Sequence, residues 1–208
     1  MVRLMRIRIC LLFLLAVIAA PSEEGFVSLM PKKDVTEFWI IEGTPPESWS
    51  VKDGVIACTG KPNGFLRSKK SYKNYIFRAE WRFQKEGWMG APAKWPNAGF
   101  FIHAGEIEST WPKSFEVQGH YGEAGSLFGV RGGKIRGARR GPIVKDRPPL
   151  GEWDRYEIVS LNGNVVVVLN GKVVNTGVGA EPSQGNICLQ SEGWPVFYRA
   201  VEIMELPE

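Results

Sequence analysis

Three segments that alternate apolar and polar residues carry side chains of types that can do chemistry. They are Arg78, Glu80 and Arg82 in Tyr75–Phe83, His103 in Gly99–Ala104, and Glu116 with Gln118 in Ser114–Gln118. Carboxyl and imidazole groups transfer protons, and guanidinium and amide groups hold oxygen-rich ligands. Successive strand residues point to opposite faces, so these side chains share one surface if the three segments are neighbours in one sheet. The alternative is the ordinary solvent-facing side of a sandwich.

Aromatic residues lie close to these polar groups along the chain, among them Trp88 and Trp95 in one loop and Tyr121 after the third segment. A sugar suits this mixture because its C–H face packs on an aromatic ring while its hydroxyls hydrogen-bond to amides and carboxylates. We therefore expect a carbohydrate ligand, with Tyr121 as a candidate at the rim of its site. Packing of the aromatic rings is the alternative role.

The elements that must position these groups are strands, because period-two alternation dominates and no amphipathic helix of three turns follows residue 22. Asn162-Gly163 and Asn170-Gly171 predict tight hairpin turns on either side of a strand. The predicted strands are 26–29, 37–41, 49–52, 55–59, 65–68, 75–83, 99–104, 114–118, 127–130, 153–161, 165–169, 186–190 and 196–204. So many short strands without a repeat or a composition break predict one all-β domain, a two-sheet antiparallel sandwich.

Two long segments, 85–96 and 132–151, interrupt the strand pattern. Loops of this length in a compact domain are often functional. The second carries a cluster of cations: Lys134, Arg136, Arg139, Arg140, Lys145 and Arg147. The composition fits both an anion-binding role and a solvated flexible loop, and it favours the solvated flexible loop. Residues 134–147 contain no aromatic residue for base stacking, so we predict no nucleic-acid site there.

The amino-terminal segment resembles a secretory signal. Arg3, Arg6 and Arg8 precede an apolar run over residues 9–20, and Ala20-Pro21-Ser22 supplies small residues for cleavage. The run of about twelve residues is shorter than the roughly twenty that a stable membrane span needs, although retention as an anchor is the alternative. We predict a signal peptide over 1–22, a mature domain over 23–208, and export to the periplasm or the extracellular space.

Removal of the leader changes the charge balance. The full chain has 26 Lys and Arg against 22 Asp and Glu, and a formal net charge of +4. Cleavage takes away three arginines and no acidic residue, which leaves 23 basic residues against 22 acidic ones and a net charge near +1. Nucleic-acid binding needs a surplus of clustered positive charge, so no nucleic-acid partner is predicted.

Cysteines and histidines are few in the predicted mature chain. Cys58 and Cys188 form a disulfide or remain two buried thiols, and the export compartment permits either. His103 and His120 are the only histidines, and zinc-ligand spacing is absent. We predict no cofactor and no metal site. Calcium stays open because its oxygen ligands come from loops whose geometry the sequence does not give. The oligomeric state is likewise not specified.

A family resemblance emerges from segments taken in their order along the chain. They read GFVSLM, WSVKDGVIACTG, FLRSKKSYKNYIFRAEWRF, NAGFFIH, FEVQGHYGEAGSLFGV, GEWDRYEIVSLNGNVVVVLNGKVV and GNICLQSEGWPVFYRAVEIMEL. This ordered set, over about residues 26–206, resembles the 3-keto-disaccharide hydrolase domain family. The resemblance implies a concanavalin-A-like lectin/glucanase jelly roll whose concave face receives carbohydrate.

The resemblance also implies an activity, cleavage of the glycosidic bond of a sugar already oxidised to a ketone at C3. The ketone acidifies the C2 proton; a base removes it, the leaving group departs from C1, and water adds to the unsaturated sugar. No redox cofactor is required at this step. The family's Glu-x-Gln segment falls on Glu116 and Gln118, its Asn-Ser-Gly segment on residues 97–99, and its Leu-Gln segment on Leu189 and Gln190.

Two positions depart from the family pattern. His103 stands where many members have Arg, and Ser191-Glu192 where many have His, so the identity of the proton-transfer group stays open. A classical retaining glucanase on this fold would carry a Glu-x-Asp-x-Glu strand with two acids on one face. The segment FEVQG supplies only one acid, which argues against that class.

The leading hypothesis is therefore an exported hydrolase or lyase that acts on 3-keto-disaccharides or other 3-keto-glycosides. Glu116 is the main acid/base, with Glu80 or His103 as the second titratable group. The substrate-binding candidates are Arg78, Arg82, Asn97, Gln118, Tyr121 and Gln190. One alternative is a lectin-like binding module that uses the same residues without turnover. Another is an interaction or envelope protein without a small ligand.

Overall fold

The computed structural model describes residues 24–87, 95–141 and 143–207, which form strands and two short 3₁₀ turns at Val35–Glu37 and Pro46–Ser48. The strands are β1 (Val27–Ser28), β2 (Trp39–Glu42), β3 (Trp49–Lys52), β4 (Val55–Cys58), β5 (Gly64–Tyr72), β6 (Tyr75–Phe83), β7 (Gly99–Ala104), β8 (Ser114–Gln118), β9 (Leu127–Val130), β10 (Lys134–Arg136), β11 (Asp154–Leu161), β12 (Asn164–Leu169), β13 (Lys172–Glu181), β14 (Gly185–Ser191) and β15 (Val196–Glu205).

These strands make two antiparallel sheets. The nine-stranded sheet has the order β10-β13-β12-β11-β6-β15-β4-β3, with β1 paired to β15. The six-stranded sheet has the order β2-β5-β14-β7-β8-β9. The prediction of an all-β, two-sheet sandwich is confirmed. The predicted leader over residues 1–22 lies outside the described residues.

The core lies between the two sheets, and aromatic rings join them. Phe100 of β7 makes edge contacts to Phe77 and Trp81 of β6, at ring-centroid distances of 5.9 and 5.6 Å. It also contacts Tyr156 of β11 and Tyr198 of β15, each at 5.7 Å. One strand of the six-stranded sheet is thereby packed against three strands of the other.

The two Asn-Gly turns form as predicted. Asn162 and Gly163 have φ of 50° and 74°, and Asn170 and Gly171 have φ of 50° and 79°. Positive φ at both central residues is the geometry of a tight hairpin turn, which Asn and Gly tolerate. The turns connect β11, β12 and β13 into a meander. The second turn predicted a strand after Gly171 without giving the bounds of β13, and the short β10 was not predicted.

The polar face of β6 is not part of the surface expected from the sequence. This strand lies in the nine-stranded sheet between β11 and β15, whereas β7 and β8 are neighbours in the other sheet. The expectation that all three strands share one sheet is wrong for β6. Since Phe77, Ala79 and Trp81 are buried against the core, the alternate residues of β6 face away from it, on the opposite outside of the sandwich.

Within the cation-rich segment 132–151, the part that carries β10 is folded against neighbouring elements. The backbone N–H of Leu127 donates to the carbonyl of Arg139 at 2.9 Å, and the amide of Asn175 donates to the same carbonyl at 2.8 Å. The hydroxyl of Ser126 donates to the carbonyl of Gly141 at 2.8 Å. The interpretation of this segment as a flexible loop is therefore wrong for residues 134–141, which are held against both sheets.

Cys58 and Cys188 are both buried and free, which matches the two-thiol alternative. Among the described residues, no helix has the length and apolar character needed to cross a membrane.

Candidate functional site

Glu116 and Gln190 lie on the outer face of the six-stranded sheet, on strands that flank β7. Their chain neighbours Phe115, Val117 and Leu189 point into the core. Because successive strand residues alternate, Glu116 and Gln190 point to the other side of the sheet. Glu116 is nevertheless only 7% exposed and Gln190 is fully buried, so both polar side chains lie beneath other parts of the chain.

Gly99 of β7 separates these two side chains. A Cβ atom at this position would lie 2.7 Å from Gln190 Oε1 and 3.3 Å from Glu116 Oε1. The glycine thus leaves room for an amide and a carboxyl that converge from β14 and β8. The sequence NAGFF provides this space where any larger residue would fill it.

Glu192 and Asn97 extend the same cluster. Asn97 forms isolated bridges with Glu192 and Gly193, which join the segment before β7 to the segment after β14. Glu192 follows Gln190 by two positions, and its side chain is close enough to Glu116 for its charge to act on that carboxyl. The cluster therefore holds two carboxyls and two amides.

Several polar atoms of this cluster are buried without a partner. By hydrogen-bond geometry, Asn97 Oδ1, Glu116 Oε1, Glu192 Oε2 and both polar atoms of Gln190 have no partner within residues 24–87, 95–141 and 143–207, although the Gln190 amide is near enough to Glu116 to lower the pKa of that carboxyl. Buried polar groups in folded proteins are almost always paired. A converging set of unpaired acceptors and an amide donor suits a ligand rich in hydroxyl or carbonyl groups.

Both carboxyls are shifted toward the neutral form. Burial, with the nearby charge of Glu192, raises the pKa of Glu116 to about 8, while Gln190 and Arg140 act in the opposite direction. Burial alone raises the pKa of Glu192 to about 7. Two carboxyls with raised pKa values near neutrality can give and take a proton at physiological pH.

Tyrosines of the nine-stranded sheet hold the backbone of the site strands. The hydroxyl of Tyr198 donates to the carbonyl of Gln190 at 2.6 Å, and that of Tyr156 donates to the carbonyl of Gln118 at 2.6 Å. Both tyrosines are fully buried, and burial raises their pKa values. They therefore remain neutral donors that fix β14 and β8 from the core side.

Aromatic residues cover the outer face next to the carboxyl pair. Phe101 is paired in register with Glu116 and contacts Phe65 at 5.8 Å and Trp111 at 5.4 Å, both edge to face. On the other side, Phe128 of β9 is the register partner of Glu116, and the guanidinium of Arg140 lies 4.1 Å from its ring centroid. The site therefore combines apolar rings with polar groups, as expected for a carbohydrate ligand.

Gln118 and Tyr121 lie at the end of β8, further from the carboxyl pair. Gln118 Oε1 accepts a hydrogen bond from the His120 backbone N–H at 2.8 Å, so part of its side chain serves the following turn. Tyr121 stacks on Trp95 with ring centroids 4.5 Å apart and donates to the carbonyl of Pro148 at 3.2 Å. Trp88, the other aromatic candidate for stacking, lies outside the described residues.

His103 does not face this site. Its φ of 52° breaks the alternation of β7, and its ring turns into the space between the sheets. There Nε2 lies 2.9 Å from Ser160 Oγ, Nδ1 lies 2.9 Å from the Pro182 carbonyl, and the ring packs edge-on to Tyr75. Burial lowers the pKa of His103 to about 4, which keeps it neutral. The expected placement of His103 beside Glu116 is wrong.

Arg78, Glu80 and Arg82 lie on the opposite outside of the sandwich and form contacts there. Glu80 pairs with its cross-strand neighbour Arg199 at 2.6 Å. Arg78 pairs with Glu157 at 2.7 Å. Arg82 donates to the carbonyl of Gly151 at 3.3 Å. Their expected position beside Glu116 is wrong. Alternation shows which face of a strand a side chain occupies, but it does not show which sheet the strand joins.

Glu192, Phe128 and Arg140 belong to the site but were not among the sequence candidates. Glu192 could have been found, because it follows Gln190 by the two residues that keep a side chain on one face. Phe128 and Arg140 depend on the β8–β9 register and on the folding of segment 132–141, which no short-range pattern gives.

The part of the chain that the structure describes contains no group of three or more His, Cys, Asp or Glu side chains arranged to hold a metal ion. The two carboxyls at the site do not amount to such a group.

The fold is one that carbohydrate-active hydrolases and carbohydrate-binding modules share. A protein of Parabacteroides distasonis, provisionally assigned as a glycosyl hydrolase, matches with a TM-score of 0.65 and 22% identity over 88% of this chain and 95% of that one. The carbohydrate-binding module CBM66 of Bacillus subtilis matches with a TM-score of 0.60 and 10% identity over 86% of this chain and 100% of the module.

Residues 25–204 match the family model described as a 3-keto-alpha-glucoside-1,2-lyase-like domain, and the chain belongs to this family. The resemblance inferred from the sequence segments is thereby confirmed. No curated protein matches the chain.

Proposed function

We propose that this protein is an exported enzyme that cleaves the glycosidic bond of 3-keto-glycosides, with Glu116 and Glu192 as its proton-transfer pair. The observation that carries the proposal is the convergence of the buried carboxyl of Glu116 and the partly buried carboxyl of Glu192, with pKa values raised to about 8 and about 7, on amide groups at the six-stranded sheet. Membership of the 3-keto-alpha-glucoside-1,2-lyase-like family supports this choice of substrate.

The first step is an elimination shared by the two carboxyls. Near neutral pH the pair holds about one proton. The ionised carboxyl takes the proton from C2, and the C2–H electrons form a C2–C3 double bond while the C3 carbonyl electrons move to its oxygen, giving an enolate. When the C3 carbonyl re-forms, this electron pair becomes the C1–C2 double bond. The C1–O bond breaks, its electron pair stays on the leaving oxygen, and the protonated carboxyl supplies a proton there. The pair ends with one proton again, exchanged between its members.

The second step returns the saturated sugar. Water adds across the C1–C2 double bond, its oxygen joining C1 and a proton joining C2, with the same two carboxyls in reversed roles. The net reaction consumes one water and yields a 3-keto-sugar and the free alcohol. A raised pKa also makes an ionised Glu116 a stronger base toward a carbon acid than an ordinary surface carboxylate.

The amides serve the negative charge that develops on the C3 oxygen. The Gln190 amide is a buried donor next to Glu116 across Gly99, and it lowers the pKa of that carboxyl when no ligand is bound. A donor fixed in a site of low polarity stabilises an enolate oxygen more than water does. The hydroxyl of Tyr198 on the Gln190 carbonyl holds the strand that carries this donor.

Substitution of Glu116 by Gln tests the proposal. The amide keeps the size of the side chain but removes proton transfer, so turnover of a 3-keto-glucoside should fall by about 10²–10⁴-fold. The release of the aglycone is followed with purified wild-type protein and variants. Glu157→Gln is the matched control, because it changes the same residue type on a strand of the other sheet.

Glu116→Gln should still fold and bind the ketosugar, whereas Glu157→Gln should keep wild-type turnover. Unchanged turnover in Glu116→Gln would remove Glu116 from the reaction, and loss of turnover in Glu80→Gln would move the assignment to the other sheet. Sugar binding by a wild-type protein that turns over no 3-keto-glycoside would instead identify a binding module, for which the likeness to the CBM66 fold is the supporting observation.

A further inference from the structure

A groove of about 380 Å³ lies where β9 passes into β10, at the edge of the six-stranded sheet. Phe128 forms part of its wall, and three cations, Lys134, Arg136 and Arg140, line it. The groove is therefore an open, basic surface with an aromatic base.

This groove adjoins the carboxyl pair. Phe128 and Glu116 are register partners on neighbouring strands, so their side chains lie side by side on the same face. Arg140 lies over the Phe128 ring, and its charge lowers the pKa of Glu116 against the effect of burial. The guanidinium of Arg140 therefore lines the groove on the ring of Phe128, the strand neighbour of Glu116.

The order of strands gives the site a direction. On the outer face, Gln190 of β14 and Gly99 of β7 are in register with Gln118 of β8, whereas Glu116, two residues earlier on β8, is in register with Phe128 of β9. Three strand spacings of about 4.8 Å and an offset of two residues, about 6.7 Å, separate Gln190 from Phe128 by roughly 16 Å, enough for a sugar and its substituent. With the sugar over Gln190 and Gly99, the groove beyond Glu116 receives the leaving part of the substrate.

The cations of the groove have no carboxylate partner. Within the described ranges, Lys134, Arg136 and Arg140 form no ion pair within 4.0 Å and no side-chain hydrogen bond, and all three are exposed. Other arginines contrast with them, since Arg67 pairs with Glu42 and Arg147 with Asp154, each at 2.6 Å. The positive charge of the groove is available to an anion from outside.

The groove is also held in place before any ligand binds. The carbonyl of Arg139, next to Arg140, accepts hydrogen bonds from Leu127 and Asn175, and Phe128 provides a face on which the guanidinium packs. An arginine oriented on an aromatic ring loses less freedom when it binds, and its planar donors match a carboxylate or a sulfate.

We propose that the groove binds an anionic group, a carboxylate or a sulfate, on the leaving part of the substrate, and that Arg140 determines this specificity. The position of the anion beyond the cleaved bond rests on the proposed function, whereas its binding to the groove does not.

Three 3-keto-glucosides that differ in one substituent provide the first test. The 4-carboxyphenyl compound carries a carboxylate, the 4-sulfooxyphenyl compound carries a sulfate, and the 4-carbamoylphenyl compound is neutral and similar in shape to the first. The wild-type protein should show a KM roughly tenfold lower for the anionic compounds, the effect of one charge-assisted contact. The advantage should shrink as salt rises from 0.05 to 0.5 M.

Arg140→Gln should abolish this preference by raising KM for the anionic compounds more than for the neutral one. Because the charge of Arg140 also acts on Glu116, a change in kcat is expected for all three compounds alike. Arg140→Lys should retain part of it, because the charge remains while the planar donors are lost. Arg155→Gln is the matched control, since it removes an exposed arginine from the nine-stranded sheet. Equal KM values for all three compounds in the wild type, or an equal effect of Arg140→Gln on the three KM values, would overturn the proposal.

A binding measurement separates this proposal from the proposed reaction. Calorimetry of Glu116→Gln with the unoxidised 4-carboxyphenyl and 4-carbamoylphenyl glucosides needs no turnover and should show the same preference for the anion. Selective binding without turnover in the wild type would refute the reaction and support the groove. Turnover without selectivity would do the opposite. Submicromolar binding of random DNA with no glycoside preference would also overturn the groove assignment.

Discussion

The surrounding chain shields the carboxyl of Glu116 on β8 from water. Burial disfavours its ionised form, and a carboxylate destabilised in this way is a stronger base. Its folded-state pKa of about 8 lies above the ordinary value of 4.5, and burial is the main cause. Glu192 is shifted in the same direction, to about 7. The folded protein therefore binds more protons than the unfolded chain between about pH 4.5 and pH 8.

Stability should accordingly fall as pH rises through this window, because the unfolded chain releases the protons that the folded protein retains. Glu116→Gln removes one such group, so its free energy of unfolding relative to wild type should increase from pH 5 to pH 8. We expect a gain of at least about 1.4 kcal/mol, the equivalent of one pKa unit. Urea unfolding of both proteins at the two pH values measures it.

Glu192→Gln should show a smaller change of the same sign, since its pKa is shifted less. The low pKa of His103 affects wild type and variants alike and cancels in the comparison. A stability difference between Glu116→Gln and wild type that stays constant from pH 5 to pH 8 would mean that Glu116 is ionised normally and that the acid/base assignment lacks its physical basis.

At the scale of strands, β7 acts as a spacer between the strands that carry chemistry. Gly99 lets Gln190 and Glu116 converge, and a Cβ in its place would meet Gln190 Oε1 at 2.7 Å and the Val117 carbonyl at 3.0 Å. The site is therefore sensitive to a residue that itself carries no functional group.

Gly99→Ala should displace the Gln190 amide and lower turnover by roughly 10²-fold, the effect of a misplacement of about 1 Å. The tight contact should destabilise the fold by about 1–3 kcal/mol. Gly105→Ala is the control, because its Cβ would find the nearest atom, the Lys113 carbonyl, at 3.8 Å. Turnover and thermal unfolding are measured on both variants. Wild-type turnover in Gly99→Ala would show that the reaction does not depend on the observed position of the Gln190 amide.

Individual strands were predictable because their signals are local. Alternation located β6, β7, β8 and β9 at the observed bounds, and Asn-Gly turns located the hairpins of β12. The turn at Asn170-Gly171 predicted a strand after it, but the bounds of β13 were missed because its sequence KVVNTGVGAE mixes apolar positions with Gly177 and Gly179, which weakens the pattern. The short β10 was hidden among Gly and Arg residues.

The site was predictable only in part, because its assembly depends on contacts that alternation does not encode. Glu116, Asn97 and Gln190 are brought together as the family segments imply. His103 was misplaced by a single positive φ, and Glu80 by the sheet to which β6 belongs. The sheet that a strand joins depends on pairing between segments that are distant in the sequence. A residue with positive φ interrupts the alternation of side chains along its strand, so a face assigned by alternation is wrong at that residue.

At the scale of the whole molecule, the reaction site depends on a core that belongs to both sheets. Phe100 lies between Gly99 and Phe101 in sequence, and its ring faces Trp81, Tyr156 and Tyr198 of the nine-stranded sheet. The same tyrosines donate hydrogen bonds to the carbonyls of Gln118 and Gln190. The packing of the core therefore also determines the position of the strands that carry the site.

Phe100→Ala should destabilise the protein by about 3–5 kcal/mol, the usual cost of removing a fully buried phenylalanine. Unfolding in urea should remain a single transition by tryptophan fluorescence, to which Trp81 beside Phe100 contributes with the other tryptophans of the chain, and by circular dichroism, which reports on the strands of both sheets. Val173→Ala, at a position 66% exposed, is the control and should change stability by less than about 0.5 kcal/mol. Two separated transitions, or a loss below about 1 kcal/mol in Phe100→Ala, would mean that the sheets fold independently and that the site strands are not fixed through this core.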